Sequence, residues 1–333
     1  MSTTTTGGAG SPATGPYAAR LAERAAEAFT ASVPDHPADD GLFGPRSVTW
    51  RLAGDMTTPV VGIRALLLQA LHPLAMAGVD QHSAWRTDPG ARLASTSAYV
   101  MTVSVGDTAA ARAAAARVRM IHEQVRGTDP ATGRPYAATD PALLLWVHNA
   151  LIDSQLACST MFGTLTPADA DRYTSEQVAA AELIGIPPDL APVTVAQLEA
   201  YFDAVRPELT CTPAAASAMS YLLEYVGGTV ASDAGASSVE ASTAEADPEA
   251  AEMAQMWQDI SDAAIASLPD WAIGLYREPV PRIAQARDRL GDMSAGDRAA
   301  IRQALGVLDA LFLGEPGVLE ARQRLRLRMR QAQ

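Results

Sequence analysis

Helix-start signals are the pattern that most limits what this chain can fold into. Asp140-Pro141 and Thr166-Pro167 each join a capping side chain to a proline that has no N–H to satisfy, and Thr58-Pro59 puts a proline in the first turn of another helix. Asp107-Thr108 caps a fourth segment, an alanine-rich run closed by Gly127. Alanine is abundant throughout and β-branched runs are few, which favours helix. Heptads, solenoid repeats and βαβ alternation are absent. The expected fold is all-α, a single multi-helix domain.

The pattern predicts helices over 17–33, 58–78, 108–126, 141–161, 166–184, 194–206, 213–226, 250–267, 278–290, 294–313 and 315–331. Pro73 removes one N–H from the second of these, so a kink or break is expected after His72. Residues 91–104 read as helix or as an extended apolar segment. The stretch TDPATGRPYAATD (128–140) reads as a Gly/Pro loop. Residues 1–15 are Ser/Thr/Gly/Ala-rich and are expected to be disordered. Residues 16–333 form the domain, with a flexible acidic, Ser/Ala-rich insertion at 228–249.

The chain's 333 residues, 48% hydrophobic and 19% charged, can bury a substantial core. A net charge of -13 argues against nucleic acid as a partner. All 25 basic residues are arginine, so no lysine can act as base, ligand or Schiff-base nucleophile. Arg322, Arg324, Arg326, Arg328 and Arg330 read as the exposed face of a terminal helix. Cys158 and Cys211 build neither a disulfide framework nor a CxxC metal motif. The opening residues lack the basic and apolar regions of a signal peptide. The longest apolar stretch, 59–79, contains Arg64, His72 and Pro73 and reads as a buried helix rather than a membrane span. These features point to a cytoplasmic protein without stable membrane insertion. They specify no oligomeric state.

Four of the five histidines lie between His72 and His148, each in a helix-like apolar segment. Histidine is the side chain that most often ligates a metal or moves a proton near neutral pH. Val118, Ile121, His122 and Val125 share a helical face, which aims His122 at the core. Leu144, His148, Leu151 and Gln155 do the same for His148. His72 sits at the expected helix break, and His82 follows in a loop before Arg86. No histidine pair has the spacing of HExxH or ExxH, and GxSxG, GxGxxG and P-loop motifs are absent. Inward histidines without such motifs suit a haem pocket better than a zinc site, because haem needs one axial imidazole, an apolar slot and arginines for its propionates. Iron held directly by three or four of the histidines remains an alternative, as does a non-catalytic haem-binding protein.

The ordered segments GPRSVTWRLAGD, ALLLQALHPLAMAGVDQHS, ARLASTSAYV, RVRMIHEQVRG and LLLWVHNALIDS resemble one family, the catalytic domain of rubber oxygenases (latex-clearing proteins) and MpaB-type oxygenases. The resemblance covers roughly residues 40–165. Its most specific parts are RLxxT (Arg92 to Thr96), the HxxVRG helix and the WVH helix. It implies a helical, globin-derived fold that binds haem b and attacks a small apolar substrate with O2 or peroxide. It implies His122 as the iron ligand, with His148 as the rival, and Arg92 and Thr96 on the opposite side. The family's lysine just before the threonine is Ser95 here, so a lysine-capped iron is impossible. The family's glutamate ahead of the arginine has no match, and that region holds His72, Asp80 and His82 instead. His72 and His82 are therefore the candidate acid–base residues, beside Arg92 and Thr96. A degenerate member of the family is the other reading.

Overall fold

In the computed structural model, the described residues are 26–333 except 28, 54, 56, 164, 227–247, 292 and 316. Among them, fifteen α-helices and one short hairpin carry the fold. The helices are α1 (Val48–Ala53), α2 (Thr58–Gln69), α3 (Pro73–His82), α4 (Pro89–Val105), α5 (Thr108–His122), α6 (Pro141–Met161), α7 (Pro167–Glu176), α8 (Val178–Leu183), α9 (Val195–Val205), α10 (Pro213–Val226), α11 (Pro248–Ala266), α12 (Asp270–Tyr276), α13 (Pro281–Leu290), α14 (Ala295–Gly314) and α15 (Val318–Gln331). The expected disordered N-terminus, and the expected insertion apart from 248–249, lie outside the described residues.

The caps act as the sequence suggests. Asp107, Asp140 and Thr166 accept from the N–H groups of Ala110, Ala142 and Asp169. Asp88 adds a cap that starts α4, settling 91–104 as helix. Ser294 and Asp297 form a reciprocal capping box on α14.

α2 and α6 pack along their length at the centre, with α11 against α2. Leu67, Leu68, Leu71, Trp146, Ala150 and Ile260 are fully buried there. Arg64, 3% exposed, pins this junction. Its guanidinium donates to the carboxylate of Asp153 at 2.7 Å, to Ser154 Oγ at 2.9 Å and to the Ser267 carbonyl at 3.1 Å. Tyr276 closes the same core by donating to the Leu67 carbonyl at 2.6 Å.

Several boundaries depart from expectation. The helix over 58–78 is two helices bent by 107° at His72-Pro73. Among the described residues no single helix is long and apolar enough to cross a membrane, although this bent pair meets the test of length and composition together. The helix over 108–126 stops at His122, and the 128–140 loop is partly a hairpin. In it, Arg126–Thr128 pairs antiparallel with Pro135–Ala137. The carboxylate of Asp129 makes this turn by accepting from Ala131 N, Thr132 N and Thr132 Oγ1. The helix over 166–184 divides at Gln177, and α12 appears where no helix was expected.

The C-terminal arginines are not simply an exposed face. Arg322 pairs with Asp309, Arg324 donates to the Val33 carbonyl, and Arg328 reaches Asp40 while stacking 4.6 Å from the Trp50 ring centre. α15 is thereby fastened over the segment before α1. Its Val318, Ala321 and Leu325 share a buried cluster with Phe29, Val33, Trp50 and Val105.

Candidate functional site

α4 and α5 form an antiparallel hairpin about Gly106-Asp107. Residues roughly equidistant from that turn face each other, so Arg92 and Thr96 lie opposite the last turns of α5. Small residues on α5, the fully buried Ala111 and Ala115, allow the close approach. Val118 and His122 continue that stripe at helical spacing and are half-buried. Ile121, expected on the same face, is 53% exposed, because the stripe toward α4 is narrower than the hydrophobic pattern implied.

Arg92 and Thr96 are linked twice. The Arg92 guanidinium donates to Thr96 Oγ1, and the Thr96 hydroxyl donates to the Arg92 carbonyl at 2.9 Å. Across the gap, the Arg92 charge acts on His122. Burial, reinforced by that charge, holds His122 below the usual histidine pKa, so its ring favours the neutral form. Burial also lowers the pKa of Arg92. Both side chains nevertheless keep part of their surface accessible. Both groups are thus partly desolvated by their neighbours while one side stays open to solvent. Among the described residues, no hydrogen bond reaches the His122 ring and no carboxylate pairs with Arg92.

The other candidates stand apart from this pair. His72 stands at the N-cap position of α3 without a side-chain capping bond and is 4% exposed, its ring centre 5.9 Å from that of Trp146. Its Nδ1 is buried without a partner, and burial lowers its pKa. The charges acting on it are Glu208, Arg134 and Asp140, none of which acts on His122. His82 is the last residue of α3 rather than a loop residue, and it is exposed. Its Nε2 lies 3.2 Å from the Tyr136 hydroxyl, and Tyr136 donates to Gln81 at 2.9 Å. His82 thus ties the hairpin to α3. His148 is buried in α6, its Nε2 has no partner, and burial alone pushes its pKa down to about 4. It lies on the side of α6 whose Leu144 and Leu145 meet Ala181 of α8. α8 packs in turn on α5, where Arg119 donates to the Leu183 carbonyl. No group of three or more His, Cys, Asp and Glu side chains gathers among the described residues. The histidines therefore do not converge on a shared metal.

Residues 50–309 match a family described as "ER-bound oxygenase mpaB/B'/Rubber oxygenase, catalytic domain". The chain belongs to the mpaB/rubber oxygenase catalytic-domain family. No curated protein and no solved structure matches it. The match spans α4, α5 and α6 and so includes the whole Arg92–Thr96–His122 arrangement.

Within this oxygenase-family domain, Ser95 does not share the face of Arg92 and Thr96. It is exposed and donates to the Arg92 carbonyl at 3.1 Å, since one helical step turns it about 100° from Thr96. Tyr99 is the residue that sequence reasoning passed over. It follows Arg92 by seven positions and Thr96 by three, so all three share one face of α4. Burial raises its phenol pKa to about 12, against the opposing charge of Arg119. That spacing was visible in ARLASTSAYV, but tyrosine is also an ordinary packing residue and nothing local distinguished it.

Proposed function

We propose that the chain is a haem b-dependent oxygenase in which the neutral imidazole of His122 is the iron ligand. The observation that carries this reading is the facing pair: a desolvated His122 without a hydrogen bond, opposite Arg92 and Thr96 on the neighbouring helix. A ring kept neutral and unbonded has its lone pair available to a metal. The residues present therefore fit the group that the family resemblance implies. Bound haem would supply the redox-active iron that activates O2 or peroxide.

The protein's own contribution is orientation and charge. Thr96 holds the Arg92 guanidinium in place across one helical turn. Arg92, lacking an acidic partner, stabilises negative charge on an oxygen that develops beside it, or on a propionate. The partial desolvation of Arg92 and His122 strengthens both effects. The substrate would be a small apolar molecule, consistent with the alanine and valine surface of α5. Catalytic roles for His72 and His82 draw less support, since His72 is buried against Trp146 and His82 is paired with Tyr136. We also expect a cytoplasmic protein, which cell fractionation would check.

The direct test is absorption of the full chain reconstituted with haemin. A Soret band at one haem per chain is expected, with at least a tenfold loss of affinity in His122→Ala. Unchanged spectrum and affinity in that variant would sink the assignment. The buried, unpartnered Nε2 of His148 favours a second reading in which that residue is axial. Pyridine-haemochrome content of His148→Ala against His122→Ala separates the two.

A further inference from the structure

We propose that Tyr99 is a second hydrogen-bond donor beside the Arg92 guanidinium that Thr96 holds, and that the two together receive a ligand presenting an anionic oxygen. The inference rests on the haem reading above and extends it from the cofactor to what binds beside it.

The placement of Tyr99 on α4 carries it. Arg92, Thr96 and Tyr99 occupy one stripe of α4, and the stripe ends in the buried Val103. Long side chains on a helix lean toward its N-terminus, so the Tyr99 phenol tilts back toward Thr96 and away from the closed turn at Gly106. There it comes within electrostatic reach of Arg119, one turn before His122 on α5. The phenol is half-buried on the stripe of α4 that carries Arg92 and Thr96. Its hydroxyl has no hydrogen-bond partner among the described residues.

The chemistry of the set indicates the ligand. A guanidinium and a phenol share one stripe of α4, and among the described residues no carboxylate pairs with either of them. The charge of Arg92 is uncompensated, which is costly in a desolvated place unless an anion arrives. The Thr96 hydroxyl proton already goes to the Arg92 carbonyl. Tyr99 is then the neutral donor left to complete the hydrogen bonding of an incoming oxygen anion. Because burial keeps the phenol protonated at any working pH, it donates and does not compete as a negative charge.

The test uses the full chain loaded with haemin, with fluoride as the probe, a compact anion that accepts hydrogen bonds. Tyr99→Phe keeps the ring and removes only the donor. Its fluoride dissociation constant is expected to rise about tenfold, the usual worth of one buried hydrogen bond to an anion, with the Soret band retained. A normal Soret band with unchanged fluoride affinity overturns the role of Tyr99 while leaving the haem reading intact. Absence of a Soret band in the unmodified protein overturns both. Should Tyr99→Phe fail to fold, nitration of the unmodified protein by tetranitromethane decides. Haemin is expected to protect Tyr99, and equal nitration with and without haemin would overturn the proposal.

Discussion

His148 shows how far one residue's surroundings can alter its chemistry. An unfolded chain binds a proton at this ring near the ordinary 6.5, whereas the folded chain does so only near pH 4, because burial disfavours the charged form. The folded pKa is the lower one, so the neutral ring's contribution is present above pH 6.5 and is lost as pH falls toward 4. The linkage amounts to about 3 kcal/mol. The urea midpoint of the protein is expected to drop between pH 7 and pH 4.5, and His148→Leu should flatten that drop. An undiminished drop in the variant would assign the acid sensitivity elsewhere, with His72 the next buried histidine. At this scale the sequence was a partial guide. Periodicity aimed His122 and His148 inward; His148 is buried, whereas His122 is only half-buried. The same periodicity also aimed Ile121 inward, where it is exposed. Helical spacing fixes an angle around one helix, but not how wide a face the neighbouring helix covers.

Among the elements, the α4–α5 hairpin matters most, because its turn sets which residues oppose each other. Gly41 packs on that turn backbone to backbone. Its φ of +69° lies in the left-handed region, and a Cβ there would stand 2.1 Å from the Gly106 carbonyl oxygen. Gly41→Ala therefore meets both a disfavoured conformation and a clash with backbone. A loss of about 2–4 kcal/mol is expected, measured as a fall in melting temperature. If Gly106 moves to relieve the clash, haemin affinity falls as well, since Arg92 and His122 shift register. A variant as stable as the parent would mean the contact is not formed. Helix starts were legible here because caps and prolines act locally. The hairpin at 126–137 was not, because its turn depends on the Asp129 side chain gathering three donors and its strands on meeting Gln81 and His82 of α3.

Over the whole molecule, the closing helix α15 lies outside the region matched to the family yet completes the core. It covers Trp50 and Val105 and is anchored by Arg324 and Arg328 to the segment before α1. Ending the chain after residue 317 uncovers that cluster. Roughly 3–6 kcal/mol of apolar burial is lost, with a lower melting temperature and a red shift in tryptophan emission expected. Unchanged emission would show that Trp50 is shielded by other parts. The arginine run that reads as a solvated face is largely structural, and the reason is distance. Its partners Val33, Asp35 and Asp40 lie almost three hundred residues earlier, where no local pattern can point.

The sequence by itself determined the helical class, most helix starts, the break at His72-Pro73 and the absence of any lysine that could cap an iron. Those follow from backbone chemistry and residue inventory, which act within a few positions. Only the tertiary structure decided that α4 and α5 pair so that the Arg92 charge reaches His122, that His72 is buried against Trp146, and that His82 meets Tyr136. Such groupings depend on helix pairing and on what each face finds opposite it. They arise when distant segments bury their apolar stripes against one another.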